Sequence, residues 1–360
     1  IEQFDLRSGD TDLSITGRAE NPNDPSVALD IRSQRVNLTP WIMAHGEHAQ
    51  PSSTTDRLIP DIEIPLSVLE LFEAEISTSI NELIGLPRPI LNIRSDISIQ
   101  HQGIKINAMR AENTRGGLAS LSGELAEAAD GIPKLSLMLD GTDLVLGIPK
   151  APSEDVNSLP PYGVKLQLTG TGHTTRDLAA SLNGYANLTM GSGKVLNAGF
   201  SRLTNDFLQE LSAALNTTQT QKDSTEINCA AAFVSVNQGK LSGKPAIVVD
   251  TPNVKIFSDA EVDFQSEKIQ IQFKTIPQKG LGISMSSLVN PYIEVTGTLA
   301  KPRLSLNPAN TVVGGSLAVI TGGISILVRK VLERMGSSGN ICATRLHKAN
   351  EEMSQLDGSP

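Results

Sequence analysis

Aromatic residues are scarce in this 360-residue chain: they make up 3% of it, with one Trp. That leaves little material for base-stacking platforms. A long basic run is also missing, and the formal net charge is -9, so nucleic acid is a poor partner. Cysteine is confined to Cys229 and Cys342, too few for a disulfide framework but enough for one bridge. Neither belongs to a Cys-x-x-Cys pair, which argues against structural zinc and thioredoxin-like redox chemistry. His45-Gly46-Glu47-His48 has metal-like residue types, yet it stands in a polar loop without further Cys or His nearby. No Ser, His and acid cluster carries a local hydrolase motif. Gly191-Ser192-Gly193-Lys194 lacks the spacing of a phosphate loop and the Ser or Thr after Lys, and reads as a hairpin turn. The sequence therefore offers no catalytic constellation, no metal set and no cofactor motif, and the reading is not an enzyme. No initiator Met or signal sequence precedes Ile1, and the chain reads as cut from a longer polypeptide.

What the sequence does contain, again and again, is alternation. In Lys134-Leu135-Ser136-Leu137-Met138-Leu139-Asp140 aliphatic residues take every second place. Period two marks a β-strand with one dry and one wet face. The pattern returns at Val27, Leu29 and Ile31, at Ile93, Ile97 and Ile99, at Val164, Leu166 and Leu168, and at Ile269, Ile271 and Phe273. Residues 1 to 40 read as three strands, with the turn between the last two at Asn21-Pro22-Asn23-Asp24-Pro25. Pro40 to Pro60 is polar and reads as a mobile loop. Leu66 to Leu83 splits into a short helical turn ending near Leu71 and then a strand. Strands follow at Ile90 to Gln100, Ile104 to Ala111 and Leu118 to Leu125.

An internal repeat accompanies the alternation. Gly17, Pro25, Val27, Leu29, Ile31, Val36 and Leu38 are answered by Gly123, Pro133, Leu135, Leu137, Leu139, Leu144 and Leu146. A weaker third copy is Val295-Thr296-Gly297 followed by Pro302-Arg303-Leu304-Ser305-Leu306. Repeated units whose apolar faces need their neighbours favour a modular sheet over a closed globule. Ala151 to Tyr162 is a Pro-rich linker. Beyond it, strands resume at Val164 and, after a turn at His173-Thr174-Thr175, continue from Asp177 to Thr189. Gly199 to Leu215 reads as a helix with Phe200, Leu203, Phe207, Leu211 and Leu215 on one face. A meander runs from Phe233 to Phe273. Val312 to Val328 is uncharged, and its paired glycines favour a helix that plugs or caps the trough, or lies on a membrane surface, over one that spans a membrane. The tail after Gly336 reads as disordered apart from whatever Cys342 fixes.

These readings give a mainly β fold: a long curved antiparallel sheet forming an apolar groove, with a few short helices and a C-terminal capping helix. Its apolar face must be hidden from water, since an exposed one aggregates. Two helices cannot cover about fifteen strands, whose sheet at ~4.8 Å spacing would be ~70 Å across. Curling that sheet into a trough closed by acyl chains is the remaining solution. Val27, Leu29, Ile31, Ile93, Ile97 and Ile99 are the expected lining of its first part. Leu135, Leu137, Leu139, Val164, Leu166 and Leu168 follow, then Ile269, Ile271 and Phe273. The expected divisions are 1–150, 151–310 and 311–360.

One resemblance sharpens this. Thr175-Arg176-Asp177-Leu178-Ala179-Ala180-Ser181-Leu182-Asn183-Gly184 is followed by Gly191-Ser192-Gly193-Lys194-Val195. After these come Asn228-Cys229-Ala230-Ala231-Ala232-Phe233, Gly239-Lys240-Leu241 and Val295-Thr296-Gly297-Thr298-Leu299-Ala300-Lys301-Pro302-Arg303-Leu304. In order and spacing these segments resemble the AsmA-like proteins, most strongly from about residue 164 to 345. The resemblance implies a repeating β-groove in the periplasm, held to the inner membrane by an N-terminal helix that this chain does not include. It implies carriage of phospholipid acyl chains toward the outer membrane, and a Cys229–Cys342 bridge in that oxidising compartment. The alternative is an envelope assembly module that binds strands of outer-membrane proteins by edge augmentation.

Overall fold

The structure, a computed structural model, describes residues 3–20, 26–40, 57–71, 73–86, 88–100, 103–145, 159–196, 224–277, 292–307 and 340–357. Alternation in the sequence becomes strand nearly everywhere it occurs, and the chain is mainly β. It divides into two compact units, residues 1–154 with 161–184, and residues 155–160 with 185–360. Sixteen strands follow one another in a single hydrogen-bonded ladder that does not close on itself, as expected for a long open sheet. The expected helix from Gly199 to Leu215, the apolar stretch from Val312 to Val328 and the His45–His48 loop lie outside the described residues.

The first unit holds β1 (Phe4–Ser8), β2 (Thr11–Glu20), β3 (Ser26–Asn37), β4 (Glu73–Ile84), β5 (Ile90–Gln100), β6 (Gly103–Asn113), β7 (Leu118–Glu127), β8 (Pro133–Leu144) and β9 (Tyr162–Thr171). Neighbours pair in sequence order, and the pairs from β1 to β9 are antiparallel with one exception: β3 and β4 run parallel. The long stretch between Asn37 and Glu73 explains this departure from the expected antiparallel sheet. A parallel neighbour needs a crossover that returns the chain to its starting end. The two strong copies of the repeat are equivalent hairpins, with Gly17 opposite Leu29 in one and Gly123 opposite Leu137 in the other. A short 3-10 helix, Leu66–Leu71, precedes β4 as the sequence suggests.

After β9 the sequence reading expects a turn and then strand from Asp177, broken or bent at Asn183-Gly184, where the next strand does begin. The structure instead forms a helix, α1 (Thr175–Ser181). Thr174 accepts a hydrogen bond from the Asp177 amide at 3.1 Å, and Asp177 accepts one from the Thr174 amide at 3.1 Å. This reciprocal capping box satisfies donors that a helix start leaves open, so seven residues suffice for a stable turn.

The second unit contains β10 (Asn183–Met190), the small pair β11 (Gly193–Leu196) and β12 (Ser224–Ile227), and the meander β13 (Cys229–Asn237), β14 (Lys240–Asp250), β15 (Val254–Asp263), β16 (Lys268–Pro277), β17 (Tyr292–Thr298) and β18 (Pro302–Asn307). The tail expected to be disordered is a 17-residue helix, α2 (Ile341–Asp357), packed on β13 and β14. Asn340 starts it by accepting from the Ala343 amide at 2.9 Å. Ile341, Arg345, Ala349 and Met353, four residues apart, are all buried on one face. Cys342 is bonded to Cys229, and the helix covers Ala231, Val248 and Phe257 on one side of the bridge and Tyr185 and Phe233 on the other.

Arg345 fastens the middle of α2. Its Nε donates to the Pro245 carbonyl at 2.8 Å and its Nη2 to the Phe233 carbonyl at 3.3 Å. Both carbonyls lie where the ladder is interrupted, since β13–β14 shifts register between Ala232 and Ser235 and β14–β15 between Gly243 and Ile247. The guanidinium also stacks 5.0 Å from the Phe233 ring centre and pairs with Glu352 at 3.2 Å.

Candidate functional site

Register decides which side chains share a face, because directly paired residues project the same way. Across seven strands of the first unit the pairs link into continuous rows. The middle row runs Leu29, Ile76, Ile97, Ile106, Gly123, Leu137, Leu168. On one side of it lie Val27, Ala74, Ile99, Ile104, Leu125, Leu135 and Gly170. On the other lie Ile31, Thr78, Ser95, Met109, Leu121, Leu139 and Leu166. Ile80 with Ile93, and Gly141 with Val164, extend the same face. Gly123 interrupts the middle row for a local reason. A Cβ there would sit 2.8 Å from the Ser136 carbonyl oxygen and 3.1 Å from Leu137 Cδ1.

All twelve lining residues expected in this unit therefore fall on one face. Sequence reasoning left Ile76, Ile104, Ile106, Met109, Leu121 and Leu125 out of the lining, although each stands at an alternating position that would have signalled it. Every one of these eighteen side chains is half-buried rather than buried. The fully buried hydrophobics among the unit's described residues are only Val36, Leu66, Ala74, Val145 and Ala179. A face of Leu, Ile, Val and Met in this state keeps part of its side-chain surface accessible.

The opposite face is polar and internally matched. Lys105 stands across from Glu124, and Lys165 lies 3.8 Å from Asp140. Such exposed pairs add little stability but keep that side wetted. At the end of β1 to β4 is a polar depression of about 510 Å³. In it Asp12 accepts hydrogen bonds from the Gln34 and Arg35 amides, and these hold its carboxyl below the usual range. Arg35 pairs with Glu82 at 2.7 Å, so the charges there largely answer each other.

In the second unit Ile269 and Ile271 are half-buried and packed against a buried cluster, and Phe273 is part of that cluster rather than open lining. It is buried there with Ile293 and Val295, which are 1% and 2% exposed. Asp259 sits in the same unit near Lys244, Glu261 and Lys348, and burial pushes its carboxyl up despite the two lysines. Among the described residues no group of three or more His, Cys, Asp or Glu is placed to hold a metal ion. No described helix is long and apolar enough to cross a membrane, which says nothing of a β-barrel.

Compared with family models, curated proteins and solved structures, the chain has no match.

Proposed function

We propose that the chain is a non-enzymatic lipid-binding sheet that holds phospholipid acyl chains on the aliphatic rows of its first unit. The observation that carries this reading is the set of side chains in register, all on one face and all left half-buried. Completing the burial of a Leu or Ile that is about a third exposed is worth on the order of 0.5 kcal/mol. A hydrocarbon chain touching several of them gains enough to offset part of the cost of association. Apart from Thr78 and Ser95 the rows supply no polar handle for a compact substrate, whereas an acyl chain needs none.

The resemblance to AsmA-like proteins adds the setting: a periplasmic portion of an inner-membrane-anchored protein, passing phospholipid between the inner and outer membranes, with envelope proteins as possible partners. Organic extraction of purified, folded protein followed by mass spectrometry tests the core of the proposal. Acyl lipid in a fixed ratio to protein is expected, and its absence from folded protein would count against it.

A second reading is favoured by one feature, the edge strand β1, whose five residues are all exposed with Phe4 and Leu6 among them. An uncovered edge can accept another strand. Lipid-free protein that captures unfolded outer-membrane strands, and loses the ability when Asp5→Pro removes an edge-facing amide, would support assembly over transport.

A further inference from the structure

The described part of the crossover between β3 and β4, residues 57–71, does not stay over its own strands. It reaches α1, on the far side of five neighbouring strands. Glu63 forms an antiparallel bridge with Thr174. The Thr175 amide donates to the Ile62 carbonyl at 2.9 Å, and the Ile64 amide to the His173 carbonyl at 2.9 Å. Thr175 Oγ1 donates to the Pro60 carbonyl and accepts from the Ile62 amide at 3.3 Å. Arg176 adds an ion pair with Asp61 at 2.7 Å.

From this pin the chain turns back. The 3-10 helix Leu66–Leu71 touches β5 and β6, and β4 begins at Glu73. The five gaps from β4 to β9 amount to about 24 Å at ~4.8 Å each. The chain from Glu63 to Glu73, half of it in the compact 3-10 form, reaches at most about 27 Å. It is thus a nearly taut strap along the strand ends, beside the row that includes Ala74, Ile99, Ile104 and Leu125.

Among the described side chains from 57 to 69 Leu66 is the buried one, whereas Leu58, Ile62 and Val68 are 62%, 57% and 54% exposed. The Arg176 and Asp61 side chains are 29% and 51% exposed, and Arg176 also donates to the Ile59 carbonyl at 3.4 Å. A segment joined to its neighbour by a single isolated bridge opens locally at lower cost than strands paired over ten residues do.

We infer that this strap is a gate for hydrocarbon chains at one end of the aliphatic rows, shut while pinned to α1 and open when Thr175 and Arg176 release it. The inference rests on the lipid reading above. Its ligand is a single linear acyl chain, which the outward Leu58, Ile62 and Val68 would accompany as it passes.

The test is transfer of a phospholipid with a fluorescent acyl chain from phosphatidylethanolamine and phosphatidylglycerol vesicles to the full chain. Glu63→Cys with Thr174→Cys, oxidised and mapped by mass spectrometry, locks the pin; Glu63→Ser with Thr174→Ser is its unlinked control. Arg176→Ala with Asp61→Ala loosens it. The linked protein should transfer at least about tenfold more slowly than its control, and the loosened one several-fold faster than the unaltered chain. Equal rates in all four, with lipid taken up normally, would overturn the gate and leave the lipid reading standing. No uptake by the unaltered chain would overturn both. Deuterium exchange without lipid checks that the strands are unchanged in each variant.

Discussion

Arg345 shows how a single residue can decide whether an element holds. Its side chain is 1% exposed, and burial pulls its guanidinium below the usual range while Glu352 pulls the other way. It stays charged because two backbone carbonyls, a carboxylate and an aromatic face surround it. Arg345→Met keeps most of the volume but leaves the Phe233 and Pro245 carbonyls without their donor. Removing one side of such a network costs about 3 kcal/mol, so urea unfolding should shift to clearly lower midpoints. Arg345→Lys should recover only part of the loss, since one ammonium cannot reproduce the guanidinium fork. Asp259 works in the opposite sense. Burial raises its folded-state pKa, so the folded protein binds this proton more tightly than the unfolded chain does. Its contribution to stability is complete below the unfolded value near 3.8 and is lost as pH rises through the folded value. Asp259→Asn should therefore raise the melting temperature at pH 7, and that advantage should shrink as the melts are repeated toward pH 4.

Elements were legible in the sequence where one period governed a whole segment, and obscure where a short local signal competed with it. Ile90 to Gln100 and Lys268 to Phe273 are strands as read, because period two persists for several turns of the pattern. α1 was missed because Leu178 and Leu182 suit a strand end as well as a helix. The decisive signal was Thr174-Thr175-Arg176-Asp177, which spaces a capping pair three apart. α2 was missed because its buried face includes a charged residue: Ile341, Arg345, Ala349, Met353 has helical spacing but does not look hydrophobic. The parallel pairing of β3 and β4 could not be read from either strand, since it depends on where the crossover returns. The bond between Cys229 and Cys342 closes a loop with a separation of 113 residues, and α2 begins at one end of it. Loop entropy of that length corresponds to about 4–5 kcal/mol in the simplest treatment. Cys229→Ala with Cys342→Ala should therefore lower the melting temperature by several degrees. It should also speed amide exchange in α2 more than in β4 to β8, because the covalent tie is local to that helix.

At the scale of the whole molecule, the two units spend similar residues differently. The second buries its aliphatics under α2 and in the cluster around Ile293, whereas the first leaves a comparable stock half-uncovered on one face. Single-sequence reasoning found that face because alternation reports orientation directly, but it could not distinguish Phe273, which is packed, from Leu137, which is not. Burial depends on what lies above a strand, and period carries no word of that. The claim that the open face matters can be separated from any effect of added charge. Leu137→Asp with Leu166→Asp places two carboxylates on the middle and outer rows. Met138→Asp with Gln167→Asp places two on the same strands, across from each other, but on the polar side. Both doubles should keep their β-content by circular dichroism, because none of the four positions is fully buried and each change costs on the order of 1 kcal/mol. Only the first should lose bound lipid, by tenfold or more when extracted and weighed against protein. Equal loading of the two would mean that the aliphatic rows are not where the chains lie.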